Sequence, residues 1–170
     1  MSQLAQFSQV TSTQNMEKSI QGLSESLRST QVLNGTSLVG REILSPADTN
    51  TIPAGGTVSG AVDVPQGADL TGLKVIVKDS TGQQVRTFDV KNPKEGLNNF
   101  TWDGKNNQGT AVAAGTYTFE VIATAGAVTG SLDPMLVSKV DSVTIDPSTS
   151  SLTLNTSTGA VSLTDVRRVL

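Results

Sequence analysis

The sequence predicts a mainly β protein, an antiparallel sandwich behind a helical N-terminus. Three observations carry this. Apolar residues follow a helical period over the first 34 positions and an alternating period from Ser37 onward. Thr, Ser, Gly and Val fill the composition, while charged residues make up only 16% and apolar residues 36% of the 170, a mix that suits strands and turns. Short alternating runs recur with Gly-bearing turns between them, the spacing of a sandwich.

Residues 1–34 lack Pro and hold only Gly22 inside, so they read as helix, with Asn34-Gly35 as the stop. Leu4, Phe7 and Val10 fall on one face at about 100° per residue, and Met16, Ile20, Leu23 and Leu27 form a second stripe on nearly the opposite side. Between them residues 11–15 are polar and of modest helix propensity. Either the helix breaks there, with Asn15 capping the second piece, or one helix serves two partners. The stripe Met16, Ile20, Leu23 and Leu27 has coiled-coil spacing and is the candidate self-association surface.

Residues 38–44 form a short strand candidate, and residues 45–56, with Pro46, Pro53 and Gly55-Gly56, read as a linker. Val58, Val62 and Val64 share one strand face, and Leu73, Val75 and Val77 share the next. Ser80-Thr81-Gly82 turns the chain into a strand over 84–90. Phe100 pairs with Trp102 on one face, and Tyr117 with Phe119 and Val121 on another. Beyond 126–134 come short strands in Ser/Thr-rich sequence, at Val140 and over 142–145, 152–154 and 161–163. None has apolar surface enough for a domain, and neither has the orphan strand 38–44. They are expected to form one small barrel that the sandwich interrupts. The organisation is therefore a helical segment at 1–34, a discontinuous barrel of 35–53 plus 136–170, and a sandwich at 54–135.

The composition excludes several functions. A net charge of −3 offers no basic footprint for nucleic acid. Apolar runs are strand-sized, so no membrane insertion is expected, and no apolar segment of a signal peptide follows Met1. There is no Cys to cross-link the chain. The absence of His removes the commonest general base and metal ligand. Asp63, Asp69, Asp79 and Asp89 are scattered and nominate no catalytic pair. The run from Asp103 to Gly109 superficially suggests a calcium loop, but Lys105 stands where the second ligand belongs and no Glu closes it. It reads as a turn between strands. Trp102, the only Trp, reads as core, and Arg86 as a tie to a strand edge. No catalytic, cofactor-binding or metal-ligating residue is nominated, and the chain is not expected to be an enzyme.

Several segments resemble one family. The run 75–87, Val-Ile-Val-Lys-Asp-Ser-Thr-Gly-Gln-Gln-Val-Arg-Thr, is similar to the D-x-x-G-x-x-V-R-T strand, turn and strand of the bacterial flagellar hook-capping (basal-body rod modification) family. Residues 100–109 resemble its F-x-W-D-G-x-x-x-x-G segment, and Gly115-Thr116-Tyr117 its G-x-Y. Upstream, residues 3–8 match its Q-L-A-Q-F-S, and residues 37–43 resemble its S-L-I-G-K-x-V. On this resemblance Asp79, Gly82, Arg86, Trp102, Asp103, Gly104 and Tyr117 are structural motif residues.

The resemblance implies an immunoglobulin/fibronectin III-like sandwich inserted into a Tudor-like barrel, and a chain lacking the family's extended N-terminal segment. It further implies a non-enzymatic scaffold without cofactors, at the distal end of the growing hook outside the cell. Export would run through the flagellar type III apparatus without a cleaved signal peptide. Partners would be hook subunits and further copies of the chain. The competing reading is an extracellular immunoglobulin-like binding or adhesion module of another secreted protein, which would share only the sandwich.

Overall fold

The computed structural model describes residues 2–146 and 151–170, with residues 2–8, 28 and 34 described by their backbone alone. Leu4 and Phe7 thus lie outside the described side chains.

The N-terminal segment is one unbroken helix, α1 (Ser2–Thr36). The polar run does not interrupt it. Thr13 Oγ1 donates to the Gln9 carbonyl at 3.0 Å and Ser19 Oγ to the Asn15 carbonyl at 2.9 Å. These hydroxyls find partners one turn back, so they do not compete for the helix backbone. Nor does the helix stop at Asn34-Gly35, because it runs on through Thr36 and the left-handed glycine is Gly40, at φ +84°. Gly35 answers a packing demand instead. A Cβ there would lie 2.8 Å from Leu152 Cδ2 and 3.0 Å from Val143 Cγ1, so its bareness lets the last turn settle onto the sheet.

Twelve strands follow: β1 (Glu42–Pro46), β2 (Thr49–Ile52), β3 (Val58–Val64), β4 (Gly72–Lys78), β5 (Gln84–Asp89), β6 (Gly96–Trp102), β7 (Gly115–Ala125), β8 (Val128–Leu132), β9 (Pro134–Ile145), β10 (Leu152–Thr156), β11 (Gly159–Ser162) and β12 (Arg168–Val169). The mainly β class holds. One sheet runs β2-β7-β4-β5, with β8 also on β7. It packs against a second sheet in which β6 pairs with β3 and β3 with β9. The second sheet continues from β9 to β1 and β12 on one side and to β10 and β11 along its far half.

Strand β9 belongs to both parts of the body. Leu136 faces Ser45 of β1 and Gly60 of β3, while residues from Val140 to Ile145 pair with β10. Two main cores lie along it. The larger gathers Val62, Val75, Trp102, Phe119, Val121 and Leu136 between the two sandwich sheets. The smaller gathers Ile43, Val140, Leu154 and Val161 inside the curl of β1, β9, β10 and β11, with Leu38 packed against it.

Four sequence expectations need correction. The strand expected over 38–44 begins only at Glu42, because residues 37–40 form turns that carry Leu38 into the smaller core. The linker expected over 45–56 contains β2, which pairs with β7 from Thr49↔Thr118 to Ile52↔Gly115. Its inward positions are Asn50 and Ile52, so apolar alternation is faint. The stretch 126–134 contains β8, whose side chains are mostly exposed. The separate short strands expected at Val140 and 142–145 are parts of the single long β9.

Candidate interaction surfaces

Five of the seven motif residues, Arg86, Trp102, Asp103, Gly104 and Tyr117, gather around one loop. β6 ends at Trp102, which is 1% exposed and packs edge-on against Tyr117 and Phe119, with centroids 5.1 and 5.8 Å away. Its indole N–H donates to the Lys105 carbonyl at 2.8 Å. Asp103 Oδ1 accepts from the Lys105 amide at 3.2 Å. Gly104 sits at φ +67°, where a Cβ would fall 2.4 Å from the Gly56 carbonyl oxygen. Tyr117 Oη donates to the Ala113 carbonyl at 2.8 Å and secures the far end of the loop.

The loop then covers the β5 edge. Asn107 donates its amide to the Val85 carbonyl at 3.0 Å, and its side-chain oxygen accepts from Thr87 N at 3.1 Å. Arg86 Nη1 donates to the Asn106 carbonyl at 3.0 Å. Asn106 Oδ1 accepts from the Gln108 and Thr110 amides at 3.0 and 2.9 Å. Asp103 and Asn106 thus spend a side-chain oxygen on the loop's own backbone, and Asn107 spends its on β5. In the sequence Asn106 and Asn107 read only as members of an Asx-rich turn.

Asp79 and Gly82 stand apart from this group, in the β4–β5 turn. Asp79 Oδ1 accepts from Thr81 Oγ1, Thr81 N and Gln83 N at 2.6, 2.9 and 3.0 Å. The Thr81 hydroxyl is the main cause holding this carboxyl below its usual range, and the backbone amides add to it.

One open cleft, of about 540 Å³, is lined by Asp63, Val64, Pro65, Gln66, Glu95 and Gly96, and Glu95 accepts from the Gly67 amide at 2.8 Å. Among the described residues, no three acids gather as a metal site would require, and no described helix is long and apolar enough to cross a membrane.

Most of the exposed large apolar side chains among the described residues lie on the helix. Met16, Ile20, Leu23 and Leu27 are 58–62% exposed. Near its C-terminal end, at Gly35, α1 approaches Val143 of β9 and Leu152 of β10. A bare apolar stripe of this kind marks a contact surface more often than a solvated one.

Comparison with known proteins places this geometry among relatives. The family described as FlgD Ig-like domain matches residues 47–127. The basal-body rod modification protein FlgD of Salmonella typhimurium is 31% identical, over 99% of this chain and 74% of its own length. That of Escherichia coli K12 is 28% identical, over 99% and 75%. The crystal structure of FlgD from Xanthomonas campestris, described as giving insights into the hook capping essential for flagellar assembly, superposes with a TM-score of 0.68 at 31% identity, covering 82% of this chain and 99% of that one. FlgD from P. aeruginosa gives 0.65 at 29% identity, over 76% and 97%.

Proposed function

The chain belongs to the FlgD family, and from that premise we propose that it is a non-enzymatic scaffold that caps the growing flagellar hook and promotes polymerisation of hook subunits. The observation that carries this is the extent of the likeness. It runs through the helix, the sandwich and the flanking strands, over 99% of the chain. A sandwich borrowed by an adhesin would match over its own residues alone, so the adhesion reading is not favoured.

The physical task of a cap is confinement. A subunit adding to an open tip loses translational and rotational freedom, a large cost of association. Holding it near its site raises its effective concentration without covalent chemistry. The surface suits such work: residues 49–52, 116–118 and 124–131 present many Ser and Thr hydroxyls and few charges. Contacts of this type are numerous and individually weak, which permits release. The site of action in this reading is the distal end of the hook, reached through the flagellar type III apparatus. Copies of the chain associate through Met16, Ile20, Leu23 and Leu27. The seven motif residues serve the scaffold by holding the loop at 103–112 and the turn at 79–83.

Deletion of the gene tests the reading. Hook subunits should still be exported and should accumulate free in the medium, with no hooks visible by electron microscopy. Normal hooks on the deletion strain would overturn it.

A further inference from the structure

One sheet edge is open and exposes a large apolar side chain. β8 pairs with β7 from Val121↔Leu132 to Ala125↔Val128, and no other described strand pairs with it. Alternate residues of β8 therefore turn their N–H and C=O groups to solvent. Proteins blunt such edges with charge, proline, bulges or a covering segment. β5 carries Arg86 and Asp89 and is covered by Asn107. β12 is two residues long and begins with Arg168. β6 is uncharged, but Asn98 folds its amide back onto the Lys94 and Gly96 carbonyls, and its apolar Phe100 and Trp102 are buried. β2 and β11 are uncharged too, but their large apolar residues, Ile52 and Val161, are buried. β8 has no charge, no proline and an unbroken register, and its apolar Val128 is exposed.

Two details suggest what meets this edge. Val128 is 71% exposed, the most exposed large apolar side chain among the described residues. Gly130 lacks a positive φ, and a Cβ there would meet nothing within 4 Å, so nothing within the chain itself requires a glycine. A glycine inside a strand often marks a close approach of another backbone.

The strand is also self-complementary. Val128, Thr129, Gly130, Ser131 and Leu132 read apolar, hydroxyl, glycine, hydroxyl, apolar in both directions. Antiparallel pairing about a two-fold axis at Gly130 sets Val128 against Leu132 of a second copy and Thr129 against its Ser131. The exposed Val128 is then covered, the hydroxyls pair, and no like charges meet.

We propose that β8 is a docking edge through which two copies of this chain join their five-stranded sheets into one continuous sheet. The surface is separate from the helical stripe, and it stands whether or not the hook-cap reading does. Five residues a side bury little area, so the pair is weak and concentration-dependent.

Sedimentation velocity on the full chain tests this, with Leu23→Asp and Leu27→Asp present throughout to remove any contribution from the helix. With β8 intact, a monomer–dimer equilibrium is expected. Thr129→Lys with Ser131→Lys sets lysine against lysine across the axis and should weaken the dimer at least about tenfold. Thr129→Lys with Ser131→Glu sets each new lysine against a glutamate of the other copy and should restore it. Both positions are exposed, so near-UV circular dichroism should stay unchanged in every variant. A monomer at all concentrations with β8 intact, or equal behaviour of the two charged variants, would overturn the proposal.

Discussion

Trp102 is joined to Lys105 by a 2.8 Å hydrogen bond from its indole N–H to the Lys105 carbonyl. A buried aromatic thereby fixes the first turn of the loop that covers β5. Gly104 lies inside this short closure, against the Gly56 carbonyl. Replacing Gly104 by Ala demands a left-handed alanine and a Cβ inside contact distance of main chain, which cannot give way as a side-chain tip can. The expected loss is about 2–4 kcal/mol in urea unfolding. Amide exchange at Asn107, bonded to Val85, should rise with it.

The turn at Asp79 gives a pH signature. Its folded carboxyl is held below the usual value of 3.8, chiefly by the Thr81 hydroxyl. The charged form is therefore the favoured one in the folded state. Its contribution to stability is present above 3.8 and is lost as pH falls through the lower folded value. Asp79→Asn keeps an acceptor oxygen but no charge. The variant should be less stable than the parent at pH 7, and the difference should shrink steadily below the usual carboxylate range. A gap that persists at low pH in paired unfolding curves would assign the effect to shape and not to charge.

The two cores predict two levels of stability, on the proposal that the flanking strands form a unit of their own. Leu154 is fully buried among Ile43, Val140 and Val161. Leu154→Asp places a charge there with no partner, enough to unfold a small core. Hydrogen exchange should then accelerate in β1, β10 and β11 while β4 and β7 keep their protection around Trp102 and Phe119. Equal loss in β4 and β7 would mean that β9 welds both cores into one cooperative body.

Legibility followed side-chain pattern. The strands carrying Val75 and Phe119 could be read because each alternates strictly and buries one face, and the strand carrying Trp102 because its last four residues alternate. β2 could not, since one of its two inward residues is Asn50. β8 buries almost nothing, so no apolar period exists to detect. β9 read as fragments because Lys139 and Asp141 interrupt it where it passes from one core to the other. The motif around Trp102 was visible, but its purpose was not. Covering the β5 edge depends on Asn107 reaching Val85 and Thr87, some 20 residues back in sequence.

The helix offers the most direct test of assembly. Met16, Ile20, Leu23 and Leu27 repeat at spacings of four, three and four residues, and all are exposed. Written as a heptad with Ile20 and Leu27 at a, the core positions include Met16 and Leu23 at d. The flanking e and g positions then hold Ser12, Glu17, Ser19, Ser24, Ser26 and Gln31, so a parallel self-pair brings no like charges together. Gly22 falls outside the seam and costs the helix about 1 kcal/mol relative to Ala, which favours a helix completed by its partner over one stable alone. Leu23→Asp with Leu27→Asp places carboxylates inside the seam. Light scattering should show a smaller assembly, while the near-UV signal of Trp102, remote in the sandwich core, stays that of the parent. Gly22→Ala should act in the opposite sense, raising helix content and tightening assembly, because it strengthens the helix without touching the seam. A mass unchanged by the paired aspartates would remove the stripe from the assembly surface and leave the β8 edge as the contact to pursue.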